Sequence, residues 1–196
     1  SSHGAYEAGR LLLSAGAGTK PLLAPQREWL MPKRIPVHWV APPEAQSFEL
    51  GIWPVNFWQL PVEDKPGAYH EIYALPVTRS DGRVKVAAHN HLEDCDPLRV
   101  VRNVAPEELT DIRSFMATFI PPLAACDIRS DVCLYTMTPD GDFVLGALSG
   151  HANVFTTALA GHGFKFAPVL GDIMADMLEA KEPAFDVSRF SPNRFD

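Results

Sequence analysis

Basic stripes are missing from this chain of 196 residues, whose formal net charge is −7. Without them a nucleic-acid backbone has nothing to grip. Long apolar runs are missing too: the longest uncharged apolar run, Phe115 to Cys126, carries two prolines and falls well short of the roughly 20 residues that span a bilayer. Cysteine is scarce. The three thiols, Cys95, Cys126 and Cys133, are an odd number at no metal-like spacing, so a disulfide framework is excluded and a reducing compartment, the cytoplasm, is expected. There is no secretory leader pattern, no internal repeat and no low-complexity segment. What is present is 46% hydrophobic and 21% charged, enough for one substantial core, or for one domain with part of another.

The chain is organised around residues 133 to 178. Cys133-Leu-Tyr-Thr-Met reads as a strand, Thr138-Pro-Asp-Gly141 as a tight turn, and Phe143-Val-Leu-Gly as a second strand folding back on the first. A third strand, Ala152 to Leu159, leads to Gly161-His-Gly-Phe-Lys165 and then to a helix. Phe166, Val169, Leu170, Ile173, Met177 and Leu178 make one apolar stripe there, with Pro168 in the first turn. Glycines at 161 and 163 allow close approach of backbone amides, and the helix start with Lys165 favours an anion.

Upstream, Ala5 to Leu13 has a short helix pattern ended by Gly16 and Gly18. Strand-like runs follow at Gln26–Met31, Ile35–Ala41, Phe48–Ile52, Val55–Leu60 and Tyr69–Leu75, separated by Pro, Gly and Asp clusters. After the Ser80-Asp-Gly82 turn comes the strand Arg83 to His89, on which period two puts Lys85, Ala87 and His89 on one face. Residues 92 to 104 are turn-rich and acidic, and 106–120 form an amphipathic helix stopped by Pro121-Pro122. The pattern predicts an α+β fold, a largely antiparallel sheet with flanking helices. The tail, Phe190 to Phe195, is expected to lie draped over the surface.

Four constellations can carry chemistry. His89-Asn-His91-Leu-Glu93-Asp94-Cys95-Asp96 has metal-ligand residue types, but no second His/Cys group supports it, and it reads better as a polar turn; no metal is expected. Cys133 has a core-thiol alternative, Lys85 with His89 a snorkelling-lysine alternative, and Gly161 to Lys165 that of a plain glycine-rich loop.

The Cys133-Leu-Tyr-Thr run and the Gly161-His-Gly-Phe-Lys-Phe-Ala-Pro run, in this order and separation, closely resemble the C-terminal part of the monomeric sarcosine oxidase and N-methyltryptophan oxidase family. These are flavoprotein amine oxidases of the D-amino-acid oxidase group. Weaker likeness covers most of the chain: Gly4-Ala-Tyr6 resembles a Gly-Ala-Trp that enters a helix, Tyr73-Ala-Leu-Pro a Tyr-Gly-Phe-Pro, Val84 to His89 a Lys-x-Gly-Tyr-His strand, and Phe190-Ser-Pro-Asn-Arg-Phe the usual ending. The resemblance implies FAD, attached through a thioether to Cys133 and met also by Gly161, His162, Gly163, Phe164 and Lys165. It implies Lys85 beside the flavin, promoting reaction with O2, and Lys165 on the substrate carboxylate. Tyr73, Tyr135 and His89 would line the pocket of a small amino acid or amine. Catalysis would rest on Lys85, His89 and Tyr73.

One part of that family's pattern is missing. Its strand, G-x-G-x-x-G turn and helix for the FAD pyrophosphate have no counterpart, and Gly16-Ala-Gly18 is expected to follow a helix rather than a strand. The chain therefore resembles the C-terminal half only. Residues 1–25 would be a helix and link from the FAD-binding domain, 26–126 the substrate domain with helix 106–120, and 127–196 the return to the FAD-binding domain. Uncovered apolar residues are then expected around Val154 to Leu159 and on the 166 to 178 helix. Two readings follow: a fragment or split subunit of an oxidase whose partner is the missing N-terminal half, or a non-catalytic binding or assembly domain without FAD.

Overall fold

The computed structural model describes residues 4–23, 28–78, 80–90 and 92–196. In chain order the elements are β1 (Leu11–Leu13), α1 (Thr19–Leu23), β2 (Met31–Val40), β3 (Asn56–Pro61), β4 (Tyr69–Leu75), β5 (Val84–Ala88), β6 (Glu93–Asp94), α2 (Thr110–Phe119), β7 (Ile128–Met137), β8 (Val144–Leu148), β9 (His151–Ala158) and α3 (Ala167–Leu178). They form two sheets, one in the order β1-β9-β8 and one in the order β3-β4-β5-β2-β6 with β7 also on β2. The pairs β2–β5, β3–β4, β4–β5 and β8–β9 are antiparallel, so the expected α+β class with a largely antiparallel sheet holds. The chain divides into two compact units: Ser1–Lys33, Asp94–Leu98 and Leu134–Asp196 in one, Arg34–Glu93 and Arg99–Cys133 in the other.

In the unit of residues 34–93 and 99–133, period two decides which residues meet α2. Ala74, Val84 and Val86 face the helix and pack with its Ile112, Phe115 and Met116, spaced by three and one as an amphipathic stripe requires. Trp58 meets Phe115 edge-on at 5.1 Å between centroids. The helix starts with Glu108 accepting from the Ala105 amide at 2.7 Å, which satisfies one donor of its first turn. Pro121 and Pro122 end it in a 3-10 turn.

In the other unit, α3 lays Leu170, Ile173 and Met174 on Leu145 of β8 and Phe155 of β9. Of the helix stripe expected to be uncovered, Leu170 and Ile173 are buried by the chain's own strands, as are Phe155 and Ala158, whereas Val169, Met177 and Leu178 are half-buried. At the helix entry Phe164 is 94% and Phe166 40% exposed.

Several expectations are corrected. Ala5 to Leu13 is not helical: it is extended, and Leu11 to Leu13 pair in parallel with Val154 to Thr156 of β9. Tyr6 is exposed, so an amphipathic helix there would have no face to bury. Gly4-Ala-Tyr6 therefore enters no helix, whereas Gly16-Ala-Gly18 follows a strand and opens into α1. The Gln26–Met31 strand has its first two residues outside those described, and residues 28–30 are turn and coil. The run from Met31 to Val40 is a single strand through Pro32 and Pro36; β5 pairs only with His38 to Val40, so neither proline withholds an amide from that ladder.

Phe48–Ile52 is no strand either. It is a 3-10 turn at Ala45–Phe48 followed by a bend at Gly51 with φ +95°, a conformation that favours glycine. The Thr138 to Gly141 turn is present, with the Gly141 amide donating to Thr138 O at 3.2 Å. It does not make a hairpin, because β7 pairs with β2 and β8 with β9. Thr138 Oγ1 donates to Asp142 O at 2.7 Å, prolonging the bend, and β8 finds its partner across the shorter Ser149-Gly150 connection. Finally, the tail is anchored rather than draped. Phe195 stacks on Trp29 at 5.1 Å, Arg194 clasps Asp140, Pro192 is buried, and Asn193 Oδ1 accepts from the Ser149 amide at 2.8 Å.

Candidate functional site

The cross-strand register builds the first group. Tyr73 on β4 sits opposite Ala87 on β5, and Lys85 sits opposite both Leu75 on β4 and Trp39 on β2. Lys85 and His89, two residues either side of Ala87, flank the Tyr73 ring: Lys85 Nζ is 5.3 Å from its centroid, and the His89 ring is 6.5 Å from it. They leave the sheet on the same side, as period two predicts. Lys85 Nζ is also 5.8 Å from the Trp39 ring, and His89 meets Phe57 edge-on at 6.0 Å.

Lys85 makes no ion pair among the described residues, so this ammonium is held by ring faces alone, a cation–π arrangement. Burial pushes the Tyr73 phenol up to about 12, and charge on the Cys133 thiol adds to the rise. The phenol thus stays protonated at neutral pH and available as a donor beside a free, half-buried thiol. Trp39 and Phe57 were not foreseen. An aromatic on β2 can be found from composition, but its position opposite Lys85 depends on register between distant strands.

The second group lies on the other unit. Gly161 has φ +73°, and a Cβ there would stand 2.1 Å from Tyr135 Cδ2. At Gly163 a Cβ would meet the Leu159 side chain at 2.3 Å. Both glycines are therefore required by the chain's own packing. His162 Nδ1 donates to Ala160 O at 2.6 Å, fixing the ring beside Phe143. Lys165 Nζ is 5.2 Å from the Phe166 ring, and the start of α3 has no side-chain cap.

His91 of the His-x-His cluster lies outside the described residues. Of the remainder, Glu93 is bound to Arg34 and Asp94 to Lys33, and no group of three potential metal ligands occurs among the described residues. None of their helices is long and apolar enough to cross a membrane.

The sequence profile of the FAD dependent oxidoreductase family matches residues 1–177. The chain belongs to that family. Among the relatives of this chain are the N-methyl-L-tryptophan oxidase of Citrobacter koseri, 32% identical over 98% of the chain and 49% of the relative, and the monomeric sarcosine oxidase of Streptomyces avermitilis, 30% identical over 96% of the chain and 49% of the relative. The chain spans about half the length of the curated relatives it matches. The fold is shared with NikD, an amino acid oxidase essential for nikkomycin biosynthesis, at TM-score 0.75 and 20% identity over 97% of this chain and 49% of NikD. Glycine oxidase from Geobacillus kaustophilus gives TM-score 0.70 at 20% identity over 98% of this chain and 47% of that one.

The residues present fit the family's cofactor at two places. A helix start without a side-chain cap, next to Lys165 and the uncovered Phe164 ring, offers amide dipoles, a cation and an apolar plane to a flat anionic group. Cys133 offers a free thiol beside the Tyr73 phenol.

Proposed function

We propose that this chain is the C-terminal portion of an FAD-dependent amine oxidase of the sarcosine oxidase type, acting on an N-methyl amino acid or similar secondary amine together with an N-terminal half that completes the FAD site. The observation that carries this reading is Lys85, a half-buried ammonium held over Tyr73 and Trp39 without a carboxylate partner among the described residues. Such a cation is placed for charge that arrives during a reaction. FAD held there would take two electrons and two protons from the C–N unit of the amine and pass them to O2, so that amine becomes imine and O2 becomes H2O2. Water then converts the imine to aldehyde and amine.

Each residue has a distinct part. Lys85 stabilises negative charge on oxygen as it is reduced. Lys165 pairs with the substrate carboxylate, Tyr73, Tyr135 and His89 line the pocket, and residues 161 to 165 face the side of the ring where reduction builds negative charge. Cys133 carries the flavin by a thioether. Residues 1–25 and 127–196 belong to the FAD-binding domain and 26–126 to the substrate domain. The scarcity of cysteine suits a cytoplasmic setting.

Co-expression with the N-terminal half of a relative tests this directly. The purified complex should be yellow, with flavin absorbance that stays with the protein on acid precipitation, and Cys133→Ser should release all of it. A colourless complex would favour the non-catalytic domain, and flavin released by acid from the unsubstituted complex would remove the covalent assignment.

A further inference from the structure

A cavity of about 690 Å³ opens on the side of the sheet opposite Lys85 and Tyr73, between α2 and the strands β2 to β5. Its size is that of a small-molecule pocket. It lies within one unit, and its apolar wall includes Leu60, Ile72, Ile112, Phe115 and Phe119. Phe119 is 43% exposed although it stacks on Phe115 at 5.0 Å, so the wall keeps an uncovered ring.

The polar wall has one sign of fixed charge. Glu71, Glu93, Glu107, Glu108 and Asp111 line it, and no lysine or arginine does among the described residues. Glu93 and Glu108 are engaged by the buried Arg34 at 3.0 and 2.6 Å. Glu71, two residues before Tyr73 on β4, turns its carboxylate to the same face as Tyr73, where it accepts from the Gln59 amide at 2.9 Å. Glu107 and Asp111 have no ion-pair partner among the described residues. The Glu107 and Asp111 carboxylates therefore remain without a paired cation among the described residues at the rim of one hollow, which focuses negative potential into it.

A second, independent feature points the same way. His38 is 4% exposed and lines this cavity. Its Nδ1 is bonded to Ser130 Oγ at 2.9 Å, and its other ring nitrogen has no partner among the described residues. A ring nitrogen on a cavity wall is placed to bond a ligand that enters the cavity. In the tautomer whose Nδ1–H donates to Ser130 Oγ, Nε2 is an acceptor, and carboxylates and imidazole together then suit a donor that carries positive charge.

We propose that this cavity is a binding site for a small organic ammonium ion with an aryl or alkyl body, separate from the oxidase residues on the other face of the sheet. The body lies on Phe119, Leu60 and Ile72. The ammonium donates to His38 Nε2 and to Glu107 or Asp111. Because the amine of an oxidase substrate shares this chemistry, the site would sense amine without carrying the carboxylate-binding Lys165.

Titration of the whole chain with phenethylammonium chloride, followed through the His38 ring signals by NMR, tests the proposal. Saturable binding with Kd below about 1 mM is expected, with 2-phenylethanol at least about tenfold weaker because it lacks the charge. The exposed pair Glu107→Gln/Asp111→Asn should weaken the ammonium about tenfold without disturbing the fold. His38→Asn, which retains the contact to Ser130, should weaken it further, while Lys85→Met and Lys165→Ala should leave it unchanged. Absence of saturation at millimolar ligand, equal binding of the alcohol, indifference to the carboxylate substitutions, or loss with Lys85→Met would each overturn it. Lys85 and Lys165 serve as controls only, so the result is independent of whether the chain supports amine oxidation.

Discussion

The two groups of candidate residues are built by different means. Around Tyr73 the positions come from an antiparallel ladder, where spacing by two along β5 is enough to put Lys85 and His89 on either side of one ring. Around Gly161 they come from an irregular loop, where no period operates and the deciding contact is a tyrosine ring laid against backbone. A ladder tolerates exchange of side chains that keep to their face. A loop closed on a ring tolerates almost nothing at the closing residue.

That difference can be broken most sharply at Gly161. Gly161→Ala combines a positive φ with a collision against Tyr135 and should cost about 3 kcal/mol in urea denaturation; a loss under about 1 kcal/mol would show that the ring swings away freely. On the ladder, Lys85→Met should leave stability nearly unchanged. In the flavin-loaded complex it should slow reoxidation by O2 about a hundredfold while flavin reduction by substrate changes little, as stopped-flow absorbance would show. Lys165→Ala should have the complementary effect, raising KM for a carboxylate-bearing amine about tenfold with little change in the oxygen step.

His38 sharpens the comparison from the opposite face of the sheet. Burial pushes its imidazole down to about 4, against the pull of the Glu108 carboxylate. Because the unfolded chain takes the proton first, the stability His38 contributes is full above the unfolded value of about 6.5 and is lost as pH falls toward the folded value. Between pH 7.5 and 4.5 wild type should lose about 2 kcal/mol more than His38→Asn in denaturant titrations. The smallest expected effect is at Gly171, an α3 position with open space around a built Cβ. Gly171→Ala should stabilise by about 0.5 to 1 kcal/mol, measured as a rise in midpoint.

The sequence made the ladder legible because its strands are short, carry aromatic or β-branched residues and are bounded by turn residues, and because a period of two survives without knowledge of partners. Cross-sheet pairing was not legible. Thr138-Pro-Asp-Gly141 has the chemistry of a hairpin turn, yet nothing local says that β7 goes to β2 while β8 goes to β9. The Leu11-Leu-Leu13 run was likewise ambiguous, since three leucines suit a helix until a parallel neighbour supplies the hydrogen bonds. In the loop, the motif from Gly161 to Lys165 was visible by resemblance, but the reason for its glycines was not: Tyr135 and Leu159 occupy the space, and only their positions reveal it.

The flat seat of Tyr135 on Gly161 carries an evolutionary consequence. Positions 135 and 161 share one volume, so neither can drift alone. Across diverged family members a side chain larger than hydrogen at 161 should arise only in lineages where 135 has already shrunk, and an aromatic at 135 should co-occur with glycine at 161. The two positions, far apart in the chain, would be inherited as a single character.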